Sequence, residues 1–300
     1  MDIDKQAFEL NKALIKLAFN KSAPSYDEAA VLQREVADRL DERLDFIKLQ
    51  PDTILEIGSG TGYYTQLLQK RYNKSNIVSL DLAHAMLLSS RNKLSWLQKF
   101  RSKNAWICGD AERLPLIDQS LDMVVSNLTL QWCSQLQQTF DGIQRTLKPG
   151  GLFMFTTFGP DTLKELRTSW REVDDYNHVN AFLDMHDIGD TLMQAGFSDP
   201  VMDVEHITLT YKEVIPLMKE LKAIGAHNVT LGRQRGLTGK TKMQKLFTAY
   251  ENFRQDGVLP CTYEVVYGHA WKLNKSQTKN SNDHSRIPVS SILRAPYNND

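Results

Sequence analysis

The residues best suited to chemistry stand together near position 60. Ile54-Leu55-Glu56-Ile57-Gly58-Ser59-Gly60-Thr61-Gly62 is a branched, apolar run that breaks into three alternating glycines. A strand ending this way lets the backbone turn sharply and approach a ligand with no Cβ in the way. A second apolar run closes on Asp81, followed by Leu82, near the interval of roughly 20 residues at which an acid meets a ribose diol in dinucleotide folds. A carboxylate there accepts both hydroxyl protons. The dinucleotide fingerprint G-x-G-x-x-G requires glycine at position 63, where Tyr63 stands, so the reading turns away from a pyrophosphate ligand. Glu56 is placed to bond either the glycine loop, including Ser59, or the ligand itself.

Two later positions extend the pattern. Asp110-Ala111-Glu112 follows a third apolar run, and a fourth, opened by Leu121-Asp122, ends in Ser126-Asn127-Leu128. Ligands of open α/β sheets lie beyond the carboxyl ends of the strands. Asp110 would then meet an adenine amino group, and Asn127 and Leu128 would line the methionine side of S-adenosylmethionine. Taken singly, such acids cap helices; as an ordered set with Gly58, Gly60 and Gly62 they argue for a ligand. Gly239-Lys240-Thr241 imitates a phosphate loop, but Gln234 stands where that loop needs glycine, and no strand leads into it.

These residues need a scaffold, and the pattern from Pro51 to Phe158 supplies one. Runs at Thr53 to Ile57, Asn76 to Leu80, Ala105 to Cys108, Leu121 to Ser126 and Leu152 to Phe158 read as parallel strands between helical periods. Tyr64, Leu67, Leu68 and Tyr72 share one helix face, and Leu136, Phe140, Ile143 and Leu147 another. Lys148-Pro149-Gly150-Gly151 is expected to turn the chain into the fifth strand. Upstream, 5 to 18 and 28 to 48 read as helices, with Leu10, Leu14 and Leu17 on one face and Val36, Leu40, Leu44 and Ile47 on another. Downstream come a helix near Asp187 to Ala195, a strand from Val201 to Leu209 and another from Thr262 to Trp271. The expected organisation is a helical cover over 1–50, an α/β core over 51–210, a helical insertion over 211–260, a final core strand over 261–273 and a flexible polar tail over 274–300. Long connections such as the insertion often serve as lids.

The 36 basic and 36 acidic residues balance, so no whole-molecule field favours nucleic acid or an anionic membrane. Three dispersed cysteines, Cys108, Cys133 and Cys261, form neither a disulfide framework nor a zinc spacing, and no metal is expected. No signal-like start and no apolar run near the roughly 20 residues of a membrane span is seen, which points to a cytoplasmic protein.

Beyond these features, Phe19 to Gln33 (FNKSAPSYDEAAVLQ), Ser126 to Cys133 (SNLTLQWC), Phe155-Thr156-Thr157, Leu221 to Gly225 (LKAIG), Gly232-Arg233 and Thr262-Tyr263 are all family-like. Over roughly residues 15 to 271 the chain resembles the malonyl-acyl-carrier-protein O-methyltransferases of biotin synthesis, within the class I methyltransferases. The resemblance implies a doubly wound α/β fold with a mostly parallel seven-stranded sheet. It also implies methyl transfer from S-adenosylmethionine, leaving S-adenosylhomocysteine, to the free carboxylate of malonyl on the carrier's phosphopantetheine.

A carboxylate with a pKa near 4 is already ionised at neutral pH and needs no general base. Tyr26, in the family-like N-terminal stretch, is expected to close over the cofactor and guide the acceptor; Trp132 is expected to wall the acceptor channel; His227 and Arg233 are expected to hold the malonyl carboxylate or thioester. Plain packing for the two aromatics, and solvation for His227 and Arg233, are the competing readings. An acidic carrier protein would dock on Arg233, Arg235, Lys240, Lys242 and Lys245, unless that face serves only solubility. The remaining alternatives are a methyltransferase of another small carboxylic acid or of a phenol or quinone precursor, and a non-catalytic or protein-modifying assembly factor on the same fold.

Overall fold

Branched apolar runs alternate with amphipathic periods along the first half of the chain, and each becomes a strand or the helix that covers it. The computed structural model describes residues 10–94, 104–226 and 238–273. The elements in order are α1 (Lys12–Ser22), α2 (Tyr26–Ala29), α3 (Val31–Arg43), β1 (Thr53–Ile57), α4 (Tyr63–Arg71), β2 (Asn76–Asp81), α5 (His84–Lys93), β3 (Asn104–Cys108), β4 (Leu121–Ser126), α6 (Leu136–Thr146), β5 (Leu147–Phe158), α7 (Lys164–Arg171), α8 (Met185–Gln194), β6 (Phe197–Tyr211), α9 (Val214–Ala223), α10 (Lys240–Glu251) and β7 (Leu259–Lys272). One sheet of seven strands runs β3-β2-β1-β4-β5-β7-β6. The first five strands pair in parallel, and β7 lies antiparallel to both β5 and β6.

Alternation along the strands divides the core into two layers. Ile54, Ile77, Met123 and Met154 pack beneath α3, α4, α7, α9 and α10. Leu55, Ile57, Val124, Phe153 and Phe155 pack beneath α6 and α8, where Phe153 and Phe155 stack at 4.9 Å. The expected helix faces behave accordingly: Tyr64 and Leu68 are buried on α4, Phe140 and Ile143 on α6, and Val36, Leu40 and Leu44 along α3 and the turn after it. All three cysteines are free thiols. Among the described residues no helix is long and apolar enough to cross a membrane.

Several boundaries differ from the sequence expectation. Lys148-Pro149-Gly150-Gly151 lies inside β5, which starts at Leu147 and absorbs the left-handed Gly150 (φ 78°) as an irregularity between Leu121 and Met123 in its pairing with β4. The expected helix 28 to 48 is broken at Ala30 (ψ 46°) and ends in a 3-10 turn, Leu44–Phe46. On α1 the buried residues are Ile15, Ala18 and Ser22, whereas Leu17 is 64% exposed. Leu14 and Leu17 instead face a cleft described below. The last two strands, β6 and β7, run longer than expected because each finds a partner along its full length. The expected tail, 274–300, and part of the first expected helix lie outside the described residues.

A buried carboxylate fixes α7 to β7. Glu165, 4% exposed, accepts from the Thr262 backbone N–H at 3.0 Å and from the Thr262 hydroxyl at 2.5 Å. Replacing it by alanine strands both donors, at about 1–3 kcal/mol for each unsatisfied group. Glu165→Ala is therefore expected to lower the melting temperature by roughly 5–15 °C, and Glu165→Gln, which keeps one acceptor, by less. Thermal melts of the two variants beside the parent check this; equal melting of Glu165→Ala and parent would refute it.

Candidate active site

At the carboxyl ends of β1, β2 and β4 the chain leaves a cleft of about 1110 Å³. Its floor is the glycine loop. Gly58 (φ 70°) donates to the Leu80 carbonyl at 2.7 Å, tying the loop to the end of β2. Gly60 (φ 52°) donates its N–H to Asp81 Oδ2 at 2.9 Å, and Ala83 donates to Asp81 Oδ1 at 2.7 Å. Burial pushes the Asp81 carboxyl up to about 6, even though both N–H groups favour its ionised form. A carboxylate held at such a cost at the mouth of a glycine loop is arranged to receive further donors.

The residues present fit an adenosyl ligand. A Cβ built on Gly60 would meet nothing within 4 Å, so this glycine faces open cleft. Gly58, Asp81, Leu82 and Asp110 line the same wall, and Ala111, Asn127 and Leu128 continue it. The Asn127 side chain is held on both sides, donating to the Gln33 carbonyl at 3.0 Å and accepting from the Thr156 hydroxyl at 2.8 Å. Leu128, at φ 46°, is fixed by two bonds from its N–H to Thr156.

Four expected cofactor residues lie elsewhere. Glu56 alternates onto the Ile54 side of β1, beneath α4, where it accepts a hydrogen bond from Thr65; burial raises its carboxyl to about 8 despite that bond. Ser59 is buried with its hydroxyl unpartnered and off the cleft wall. Gly62 caps α4 and meets α5 so closely that a Cβ would sit 2.3 Å from Ser90 Oγ. Glu112 turns back to Lys12 and to the Gln135 N–H.

The roof comes from the N-terminal helices through contacts that spacing did not indicate. Asp27 accepts from the Thr61 hydroxyl at 2.5 Å and pairs with Lys93 at 2.6 Å, clamping α2 to the glycine loop. Lys12 on α1 reaches Asp110 at 2.5 Å and Glu112 at 3.0 Å; burial works against its charge, yet the two acids hold its pKa above the usual value. Tyr26 lines the cleft, and burial together with Asp81 and Asp27 raises its phenol above the ordinary range. It therefore stays protonated and is a donor at neutral pH. Trp132 also lines the cleft, and Phe19 of α1 packs edge-on against it at 5.3 Å.

The far half of the cleft is mostly apolar. Phe158 packs against Phe182 at 5.6 Å and against Tyr263 at 5.7 Å. Trp170 stacks on His178 at 3.6 Å, and His178 Nε2 lies 2.7 Å from Asp174. Lys242 also bonds Asp174, at 2.7 Å, so it is turned inward instead of standing free on a docking face. Burial works to raise the Asp174 carboxyl, but Lys242 and His178 hold it below its ordinary value. The stretch from Trp170 to Asn180 reads in sequence only as polar; its part in the wall depends on the Trp170–His178 stack and the Asp174–Lys242 pair. His227, Arg233 and Arg235 lie outside the described residues, whereas Lys240 and Lys245 are exposed on α10.

Residues 55–155 match the model of a methyltransferase domain family. A malonyl-acyl-carrier-protein O-methyltransferase of Nitrosospira multiformis is 54% identical over 275 residues, covering 88% of this chain and 90% of that one. A protein of the same name from Gallionella capsiferriformans is 52% identical, covering 88% and 92%. Among solved structures, Haemonchus contortus phosphoethanolamine N-methyltransferase 2 in complex with S-adenosyl-L-methionine shares the fold at a TM-score of 0.52 and 16% identity, over 85% of this chain and 57% of that one. With that degree of identity along nearly its whole length, the chain belongs to the malonyl-acyl-carrier-protein O-methyltransferase family.

Proposed function

We propose that the protein methylates the free carboxylate of malonyl-acyl-carrier protein, the early step of biotin synthesis that its family resemblance implies. When bound, S-adenosylmethionine supplies a sulfonium methyl: the ester O–CH₃ bond forms as S–CH₃ breaks, and the electron pair leaves on sulfur as S-adenosylhomocysteine. The observation that carries the reading is a single cleft with two chemically distinct ends. One offers the acceptors Asp81 and Asp110 and the bare backbone of Gly60; the other is walled by Phe158, Phe182, Trp170 and Tyr263.

The chain's own contribution is alignment and exclusion of water. Asp81 and Asp110 fix the adenosyl end, and Asn127 and Leu128 border the methionine side. Tyr26, protonated, covers the donor and offers a hydrogen bond to the acceptor. Trp132, buttressed by Phe19, closes the side of the channel. Positioning of this kind contributes up to roughly 7–11 kcal/mol in good intramolecular cases, and an ionised acceptor asks for no base. The helices α1 and α2 on one side and α9 and α10 on the other act as covers over the sheet. Malonyl esterification removes a charge that is costly to carry through an apolar channel.

The deciding assay offers purified protein and labelled S-adenosylmethionine with malonyl-carrier protein, malonyl-coenzyme A and free malonate in parallel. Methyl ester from the carrier-bound form is the expected product, and label on none of the three removes the reading. Docking is assigned to Arg233, Arg235, Lys240 and Lys245, with Lys242 shared with Asp174. Arg233→Glu with Arg235→Glu is expected to raise KM for malonyl-carrier protein roughly three- to tenfold and to leave cofactor affinity alone. An unchanged KM would remove this docking face.

A further inference from the structure

Asn180 sits on the cleft wall, 7% exposed, with a side-chain oxygen that has no hydrogen-bond partner. Five other buried polar atoms share that condition among the described residues: Ser59 Oγ, Tyr64 Oη, Asn104 Nδ2, Ser126 Oγ and Tyr267 Oη. None of those five residues borders the cleft. A buried acceptor left unmade is a standing loss unless a ligand satisfies it, and such exceptions call for a specific explanation.

The surroundings narrow the ligand. Phe158, Phe182 and Trp170 are apolar neighbours on this half of the wall, and His178, two residues before Asn180, is already engaged by Asp174 and stacked on Trp170. A carboxylate carries no proton to give, so the malonyl group cannot satisfy the Asn180 oxygen. A primary amide side chain presents one acceptor and a donor pair side by side. A secondary amide of the trans kind turns its N–H and its carbonyl to opposite sides, so it meets the Asn180 group at one point, its N–H donating to the unpartnered oxygen. An acyl group delivered on a pantetheine arm brings such amides into an apolar channel.

We propose that Asn180 is the recognition residue for an amide of the pantetheine arm, so that the cleft reads the carrier's prosthetic group as well as its acyl end. The inference rests on the acyl-carrier reading given above. Asn180 acts on binding and register of the acceptor, and it takes no part in bond making.

The test uses the full chain, two thioesters and one variant. Malonyl-pantetheine is compared with an analogue whose amides are replaced by esters and which therefore has no amide N–H. The parent is expected to show a KM roughly ten- to a hundredfold lower for the amide form, since a site built to pair a polar group rejects the analogue lacking it. Asn180→Leu is expected to raise KM for malonyl-pantetheine to the level of the ester analogue, with kcat within about threefold and affinity for S-adenosylhomocysteine unchanged. Equal discrimination by parent and variant, or a parent that does not discriminate, overturns the proposal, as does a loss of cofactor affinity in the variant. The parent comparison needs no mutant and stands even if Asn180→Leu folds poorly. Calorimetric binding of malonyl-pantetheine in the presence of S-adenosylhomocysteine separates the two ideas. Binding that depends on Asn180, without methyl transfer, supports this proposal and removes only the malonyl reading. Methyl transfer with binding indifferent to Asn180 removes only this proposal.

Discussion

Asp81→Asn is expected to weaken S-adenosylmethionine binding roughly a hundredfold or more while the protein stays folded. The carboxylate already accepts from Gly60 and Ala83, so it is oriented before any ligand arrives. A ribose diol would add two charge-assisted bonds, each worth about 1.5–3 kcal/mol, and asparagine at this position can neither carry the charge nor accept with both atoms. A direct pH signature accompanies the loss. Burial places the Asp81 pKa near 6, and only the ionised form accepts both hydroxyls. Below pH 6 the protonated fraction grows, so the apparent Kd should rise about tenfold for each further pH unit, whereas above pH 7 it should be flat. Calorimetric titrations from pH 5 to 8 measure both effects, and the Asp81→Asn isotherms should lack the acid limb. A parent whose Kd is the same at pH 5 and pH 7 would falsify the assignment of Asp81 as the diol acceptor.

The second large effect separates two glycines two residues apart. A Cβ on Gly58 would stand 1.9 Å from Thr129 Oγ1 and 2.6 Å from its Cβ, at a φ of 70°. Overpacking of about 1–3 kcal/mol adds to about 1–2 kcal/mol for a left-handed side-chain-bearing residue. Gly58→Ala is thus expected to lower the melting temperature by roughly 5–15 °C, and Thr129→Ala in the same chain should recover part of that loss. Gly60→Ala carries only the backbone strain, because its Cβ points into open cleft. It should cost a few degrees and yet reduce cofactor affinity about as severely as Asp81→Asn. Thermal melts paired with titrations decide the matter; a Gly60→Ala protein that binds the cofactor normally would remove the loop from the binding site.

Much of the candidate site is legible in the sequence because the physics behind it is local. Three alternating glycines after Ile57, and an acid closing the next strand, need only the chain's own geometry to form a ligand loop. Glu56, Ser59, Gly62 and Glu112 stand close to cleft residues in sequence and yet do not line the cleft. The pleat of β1 sends Glu56 to the far face beneath α4, and Gly62 is needed for the approach of Ser90. The apolar stripe of α1 needs the fold to be placed, for a related reason. Leu14 and Leu17 are apolar because they border a cleft, and periodicity does not distinguish a core face from a cleft face.

Sequence by itself determined the parallel core, the glycine loop, the positions of Asp81, Asp110 and Asn127 at strand ends, and the family. Each depends on residue type and short-range spacing. Tertiary structure alone decided which side chains meet across long separations, Lys12 on Asp110 and Asp27 on Thr61 and Lys93, and left the Asn180 oxygen without a partner on the cleft wall. Those contacts join segments up to 98 residues apart, as in the Lys12–Asp110 pair. They exist only because one sheet brings the carboxyl ends of its strands under covers drawn from both ends of the chain, and no local propensity encodes that meeting.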